Sequence, residues 1–299
     1  MPAEPSNNLI CYHGTMRTPQ FSVITITHNR DEHLRNVLRG IERSSVRPAE
    51  VVIVYMNQTE QIEDTFSVPS TVVHLDEPTK LPLAKARNIG AAQATSEYLI
   101  FLDVDCIPSE TMFEDLLVAP KFANALIMGS PRYLLPDSKI AGMPEKKLYD
   151  ASVAHKGRAH LKSGQSQEYT AFWSLCFALT KTTFEKIGGF DTKFIGYGGE
   201  DTDFALAAKV ADVPFVISDA ICYHQHHAVY KPPVQHAKDI VLNSNYYFSK
   251  WHVWPMEGWL KEFVRLGIIE WTPKRTKPIT VLTTDQVQAE DYIDTTSAY

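Results

Sequence analysis

Strand-length runs of apolar and β-branched residues alternate, from residue 21 onwards, with segments of helical character. The runs typical of buried strands are Phe21–Thr27, Val51–Val54, Val72–Leu75 and Tyr98–Leu102. Between them, residues 32–41 carry apolar side chains at helical spacing, and Leu83–Ala94 is rich in alanine. Strands that alternate with helices predict an α/β fold with a doubly wound, mostly parallel, Rossmann-like sheet. Ligands of such sheets bind beyond the carboxyl ends of the strands.

The second half of the chain is less regular. Residues 136–170 are polar and rich in Gly, Lys and His, which indicates a long connection. We expect a core strand over Ala171–Leu179 and a further strand that begins at Val213. Helices are expected from Pro232 onwards, and the stretch 272–299 is expected to be extended or disordered.

The composition excludes several classes of protein. With 44% hydrophobic and 21% charged residues it is that of an ordinary globular protein, and the net charge of −6 argues against nucleic-acid binding. There is no apolar run of membrane-spanning length and no leader-like segment, so we expect a soluble, cytoplasmic protein. The widely spaced cysteines favour buried or incidental thiols over a zinc site or a disulfide framework.

Two acids follow directly after the predicted strand Tyr98–Leu102. Alternate residues of an extended chain face the same way, so the carboxylates of Asp103 and Asp105 converge. A divalent cation would relieve their repulsion, and oxygen ligands suit Mg²⁺ or Mn²⁺. Such an ion can hold a diphosphate and neutralise the charge on a leaving group. The alternative is a pair of solvated loop acids, which the buried strand before them makes less favoured.

A second acidic motif follows the glycines Gly198 and Gly199. Glycine lets the backbone come close to a ligand, and the dipole of the following predicted helix favours acids at Glu200 and Asp201. A carboxylate near a hydroxyl can accept its proton as a general base. The alternative is that Asp201 only caps the helix.

Three histidines lie within four residues at the end of the strand from Val213. Imidazole is a common metal ligand, and His224, His226 or His227 together with the acids would form a mixed nitrogen and oxygen site that suits Mn²⁺. In the helix before the first acidic motif, Arg87 is a candidate phosphate contact, with a solvated helix face as the alternative.

In this order the motifs resemble the inverting glycosyltransferases of the GT-A fold, in the group formed by family 2 and the β-1,4-galactosyltransferases. The resemblance covers about residues 20–230. Thr27–Leu34 is similar to the first nucleotide-binding loop of the galactosyltransferases, and Asn57-Gln58 to the end of their second strand. Typical family 2 members carry acids there, and this chain has none. Ile195–Asp203 resembles the galactosyltransferase acceptor loop.

The resemblance implies a function. A hexose or N-acetylhexosamine would move from a UDP-sugar to a hydroxyl of a glycan or other acceptor, with inversion and with Mn²⁺ or Mg²⁺. Asp201 is the implied base and Glu200 a sugar or acceptor contact. Asp105 is the implied metal ligand, with His224 as the first choice of histidine and His226 and His227 left open. The implied nucleotide-sugar contacts are Thr27, His28, Arg30, Asn57, Gln58, Arg87, Asp103, Val104, Gly198 and Gly199.

On this basis we divide the chain into five segments. These are an N-terminal extension (1–19), a nucleotide-sugar-binding half (20–118), an acceptor and catalytic half (119–230), a helical extension (231–271) and a C-terminal tail (272–299). The main alternative is a catalytically degenerate sugar-binding or scaffold module of the same fold. The retaining polypeptide N-acetylgalactosaminyltransferases resemble the chain after the glycines but usually carry Asn at the position of Asp201, which favours inversion.

Overall fold

The elements are taken from a computed structural model that describes residues 19–77, 80–117, 124–136, 138, 140–282 and 293–294. Its strands are β1 (Phe21–Thr27), β2 (Glu50–Met56), β3 (Ser70–Leu75), β4 (Tyr98–Leu102), β5 (Cys106–Pro108), β6 (Leu126–Leu134), β7 (Ser152–Ala154), β8 (Gly164–Ser166), β9 (Cys176–Thr180), β10 (Phe215–His224), β11 (Val229–Tyr230) and β12 (Ile293–Asp294). Its α-helices are α1 (Asp31–Arg43), α2 (Leu83–Gln93), α3 (Met112–Leu117), α4 (Glu145–Asp150), α5 (Lys181–Ile187), α6 (Glu200–Val210), α7 (Ala237–Trp251) and α8 (Glu257–Arg265).

Most strands belong to one large sheet in the order β3-β2-β1-β4-β9-β6-β10-β5, with β7 beside β6 and β8 beside β10. β1 pairs in parallel with β2 and β4, β2 with β3, and β6 with β10. β9 is antiparallel to both β4 and β6, so these two strands share the direction of β1. The mostly parallel α/β sheet predicted from the sequence is confirmed.

Helices on both faces of the sheet explain why its central strands are buried along their whole length. All seven residues of β1 are buried. Because side chains alternate along a strand, Phe21 and Val23 pack in one core with residues of α1 and α3. Ile24 and Ile26 pack in the other core with residues of α2, α5 and α6. A strand covered on both faces needs no polar alternation.

The strand predicted over Ala171–Leu179 starts too early, since β9 begins only at Cys176. Tyr169–Ala171 form a 3-10 turn, and the backbone N–H of Trp173 donates to a methionine sulfur instead of a strand carbonyl. Phe172 is buried edge-on against Phe177. The apolar run therefore reflects burial in the core and not strand pairing.

The remaining irregular segments are partly ordered. The predicted connection 136–170 contains α4, β7 and β8. Within the tail 272–299, Val281 forms a bridge with Ile269, and β12 pairs with β11. These parts of the tail are extended, and residues 283–292 and 295–299 lie outside the described residues, as do 1–18 of the predicted N-terminal extension.

The predicted C-terminal helical extension is present as α7 and α8. Its own small core contains Trp254, Leu260, Phe263 and Trp271, all buried. In the described part of the chain, no helix is both long and apolar enough to cross a membrane.

Gly90 lets α2 lie close to β1. A Cβ atom at this position would lie 2.4 Å from Cγ2 of Ile24, nearer than packed atoms approach. We expect Gly90→Ala to lower the free energy of unfolding by about 1–3 kcal/mol, because the helix must shift off the sheet. The matched control is Gly258→Ala in α8, where an added methyl group meets nothing within 4 Å. Chemical denaturation of both variants measures the difference, and equal losses in the two would contradict this account of the packing.

Candidate active site

Both acidic motifs, the histidines and the predicted nucleotide contacts come together at one edge of the sheet. β1, β2, β4 and β10 share one direction, so the residues that follow their carboxyl ends are neighbours in space. β5 returns antiparallel to β10 and places Cys106 opposite His224, which brings the first acidic motif against the histidines.

Asp105, His224 and His227 form a group that can hold a metal ion. Oδ1 of Asp105 lies 3.6 Å from Nε2 of His224, and Oδ2 lies 3.5 Å from Nε2 of His227. One ligand atom from each residue falls within 4.8 Å of the others. One carboxylate and two imidazoles form a mixed oxygen and nitrogen set that suits a divalent transition-metal ion. His226, left open by the sequence, is not part of this group.

The protonation states of Asp105 and His224 favour metal binding. Burial lowers the pKa of His224, which keeps its imidazole neutral and able to ligate. Although burial alone raises the pKa of Asp105, the imidazoles of His224 and His227 and the guanidinium of Arg30 hold it well below its ordinary value. Nη1 of Arg30 lies 3.8 Å from Oδ2 of Asp105. A cationic side chain therefore stands beside the candidate metal site.

Gln225 fixes the two metal-site segments to each other. Its backbone N–H donates to the carbonyl of Asp105 over 2.6 Å, and its side-chain Nε2 donates to the carbonyls of Val104 and His33. Its Oε1 accepts a hydrogen bond of 2.9 Å from Asn36 of α1. The sequence analysis missed Gln225. Gln225 follows the last residue of β10 and is buried, and its partners on α1 and in the first acidic motif are distant in sequence, so no local signal identified it.

Sequence reasoning also missed His33 on α1. Its ring centroid lies 6.4 Å from that of His227, edge to face. Burial lowers the pKa of His33, and the nearby Arg30 lowers it further. Its position three residues after Arg30, on the first loop and helix, was the signal that could have identified it.

Arg87 is buried and joins the two acidic motifs. Nη2 donates to Oδ1 of Asp103 and Nη1 to Oε1 of Glu200, each over 3.2 Å. The guanidinium carbon lies 5.3 Å from the ring centroid of Phe190. The alternative of a solvated helix face is wrong, because the residue is only 4% exposed. A phosphate contact by Arg87 stays a prediction.

The acids of this network differ from ordinary surface carboxylates. Burial raises the pKa of Asp103 to about 7, with Asp105 adding to the rise and Arg87 opposing it. Burial likewise raises the pKa of Asp201 to about 6, and the neighbouring charge of Glu200 contributes. Oδ1 of Asp201 accepts hydrogen bonds from the backbone N–H and the hydroxyl of Thr202. A partly buried carboxylate with a pKa near neutrality is suited to acid–base chemistry.

The loop before α6 depends on glycine. Gly198 and Gly199 have φ values of 90° and 94°, in the left-handed region that side chains with a Cβ rarely adopt. The N-cap residue of α6 is Gly199, and Asp201 is the second residue of the helix, where its Oδ1 accepts from a first-turn amide, the backbone N–H of Thr202. Tyr197 of this loop stacks on His236, with ring centroids 4.4 Å apart.

An open cleft of about 830 Å³ adjoins the ends of β1, β2 and β3. Asn29, Asp31, Asn57, Gln58, Thr59, Glu60, Asp76 and Glu77 line it. The amides of Asn57 and Gln58 are used within its walls: Asn57 accepts from the backbone N–H of Glu77, and Gln58 bonds the backbone of Asn29 and the carboxylate of Asp31. Typical family 2 members carry acids directly after this strand, where this chain has Asn57 and Gln58. In this chain the cleft is lined instead by carboxylates from α1 (Asp31) and from the end of β3 (Asp76 and Glu77).

Three other predicted contacts differ in what they offer a ligand. Nδ1 of His28 lies 2.7 Å from the carbonyl oxygen of Met56, at the rim of the sheet. Thr27 is buried at the end of β1. The side chain of Val104 packs in the core, and its backbone carbonyl accepts from Nε2 of Gln225.

Comparison with known proteins identifies the family. The family described as "Glycosyltransferase like family 2" matches residues 23–233. The chain therefore belongs to the glycosyltransferase family 2-like proteins.

Two curated relatives are validoxylamine A glucosyltransferases. That of Streptomyces hygroscopicus subsp. limoneus is 26% identical over 69% of this chain and 51% of the relative. That of Streptomyces hygroscopicus subsp. jinggangensis is 25% identical over 69% of this chain and 55% of the relative. The chain spans about half the length of these relatives.

Solved structures share the fold at low sequence identity. GalNAc-T7, crystallised with UDP, GalNAc and Mn²⁺, superposes with a TM-score of 0.52 at 15% identity, over 71% of this chain and 45% of that one. S. aureus TarS 1-349 superposes with a TM-score of 0.51 at 15% identity, over 75% and 64%. The predicted GT-A fold is confirmed, whereas the closer likeness to β-1,4-galactosyltransferases stays a prediction.

Proposed function

We propose that this chain is a metal-dependent, inverting glycosyltransferase. It moves a hexose or N-acetylhexosamine from a UDP-sugar to a hydroxyl of a glycan or other acceptor. The observation that carries the proposal is the meeting of Asp105, His224 and His227 with the linked acids Asp103 and Glu200 at one sheet edge. Family membership supports sugar transfer, the ligands of GalNAc-T7 support UDP and Mn²⁺, and the named relatives make UDP-glucose the first donor to test.

The donor is held by the metal site and the cleft beside it. Asp105, His224 and His227 would hold the ion, which when bound neutralises charge on the departing diphosphate. Arg30, beside Asp105, is placed to pair with phosphate oxygens. The nucleoside occupies the cleft at Asn57 and Gln58.

Asp201 acts on the acceptor. Its carboxylate accepts the proton of the acceptor hydroxyl as that oxygen attacks the anomeric carbon. The bond from this carbon to the diphosphate oxygen breaks on the opposite face, so the configuration inverts. Glu200, held by Arg87, contacts the sugar or the acceptor. Holding both substrates in line supplies much of the rate gain.

The pKa of Asp201 predicts the pH dependence of turnover. The base is active as a carboxylate, which is present above its pKa of about 6 and lost as the pH falls below it. We expect kcat/KM, which reports the ionisation of the free protein, to fall about tenfold per pH unit on the acid side of this midpoint. The Glu200 charge helps to raise this pKa, so Glu200→Gln should move the acid limb to lower pH.

A pH–rate profile of UDP release measures both effects. Glu185→Gln on the exposed side of α5 is the matched control and should leave the midpoint unchanged. An acid limb in Glu200→Gln at the wild-type position would show that the titrating group is not Asp201.

The experiment that tests the proposed function is UDP release from a panel of UDP-sugars with Mn²⁺ and with EDTA. Transferases hydrolyse their donor slowly without acceptor, so we expect metal-dependent release from one sugar. Adding candidate acceptors, including validoxylamine A, should accelerate it. UDP-sugar binding without any consumption would instead support the degenerate sugar-binding module.

A further inference from the structure

Asn243 of α7 holds the loop that precedes the candidate base. Its side chain is buried, at 1% exposure. Its Nδ2 lies 2.8–3.3 Å from the carbonyl oxygens of Ile195, Tyr197 and Gly198. Its Oδ1 accepts from the backbone N–H of Ile195 over 3.4 Å. One carboxamide thus serves three residues of a single loop.

The loop needs such support because of its backbone conformation. Gly196, Gly198 and Gly199 all have positive φ values. A chain in this conformation cannot pair its carbonyls in a helix or a strand, and buried carbonyls without partners are costly. Asn243 lies outside the loop and supplies these hydrogen-bond partners. The loop that it holds ends where Glu200 and Asp201 begin α6.

Other residues of the helical extension close around the same loop. Asp239 of α7 forms an ion pair with Lys80. Its carboxylate lies so close to Gly196 that a Cβ atom at that position would clash with Oδ2. His236 stacks on Tyr197, and the sulfur of Met256 would lie 3.1 Å from a Cβ of Gly198. The helical extension therefore packs against the loop on several sides, and Asn243 makes its hydrogen bonds to the loop backbone.

We propose that Asn243 is a positioning residue for glycosyl transfer. By fixing Ile195–Gly198 it sets where Asp201 stands relative to the metal group, without itself touching either substrate. This role rests on the proposed function, because it acts through the base assigned there. Misplacement of a reacting group by about 1 Å can reduce a rate about 100-fold, so a loosened loop should affect kcat more than donor binding.

The test compares Asn243→Ala with Asn245→Ala. Asn245 lies on the same helix, and its carboxamide makes two hydrogen bonds to Ile279 instead of the acceptor loop. With UDP-glucose as the probe, we expect Asn243→Ala to lower the kcat of UDP release about 10-fold to 100-fold, with KM and Mn²⁺-dependent UDP affinity changed less than about twofold. Asn245→Ala should change each quantity less than about twofold. Asn243→Asp, which keeps the volume and the accepting oxygen, should also lower kcat.

Hydrogen exchange separates this inference from the proposed function. In the wild-type chain the amide of Ile195 should exchange as slowly as those of α7, and Asn243→Ala should accelerate exchange across Ile195–Gly199 without altering β1 or β4. A wild-type loop that exchanges as fast as exposed turns, or an Asn243→Ala variant with unchanged kcat, would overturn the inference. A wild-type chain that neither binds nor consumes UDP-sugars contradicts the proposed function, while the exchange comparison still tests the role of Asn243.

Discussion

Replacing Asp105 by alanine is expected to abolish the Mn²⁺-dependent part of UDP binding. The carboxylate is the only acid in the metal-binding group and lies within 3.6 Å of both imidazoles. Loss of an outer-shell partner alone costs about 10–100-fold in metal affinity, so loss of a direct ligand should cost at least about 100-fold. Calorimetric titration of UDP with Mn²⁺ and with EDTA measures this difference.

The matched control for this variant is Asp219→Ala. Asp219 is an exposed acid on β10, the same strand that carries His224. Its removal changes the net charge equally and should leave UDP affinity within about twofold of wild type. If Asp105→Ala kept its metal-dependent affinity, the metal group assigned here would be incorrect.

Asp201→Asn should separate donor binding from transfer. The amide has nearly the same shape as the carboxylate and retains an oxygen that can accept from Thr202, so the start of α6 should persist. It cannot accept a proton at neutral pH, and loss of general-base catalysis typically lowers a rate about 10²–10⁴-fold. We therefore expect unchanged Mn²⁺-dependent UDP affinity and a kcat lowered by this factor.

Asp212→Asn is the control for this second variant. Asp212 is exposed after α6 with a φ of 50°, a conformation that Asn tolerates well. It should turn over at the wild-type rate. Near wild-type turnover by Asp201→Asn would place the base elsewhere, with Glu200 as the next residue to examine.

The sequence predicted the sheet edge well because short-range patterns determine it. β1 and β4 are runs rich in apolar and β-branched residues that end at polar residues, and each is found within its predicted limits. The placement of Asp105 beside His224 and His227 follows from two such strands that end at one rim. Strand alternation did not place Asp105, because residues 103–105 form a turn in which the backbone N–H of Cys106 donates to the carbonyl of Asp103. Asp103 pairs with Arg87 and is not part of the metal group.

Long-range contacts account for what sequence reasoning did not find. The sequence does not show whether Arg87 is buried or solvated, because its partners Asp103 and Glu200 lie 16 and 113 residues away. Asn243 lies 45–48 residues from the loop that it holds, and no local pattern marks it. The acids Asp76 and Glu77 reach the cleft through β3, a strand whose exposed positions carry little sequence signal. Such residues are recognised only once the sheet order is known.

The measurement that tests the central claim most directly is ¹H NMR of UDP-α-glucose incubated with the chain and Mg²⁺, which avoids the line broadening of Mn²⁺. Slow transfer to water, or faster transfer to an added acceptor, should consume the donor, and the first sugar signal should be that of the β-anomer. This result would establish both sugar transfer and inversion. An α-anomer formed first would contradict the inverting mechanism, and a donor that binds but persists unchanged would contradict enzymatic transfer.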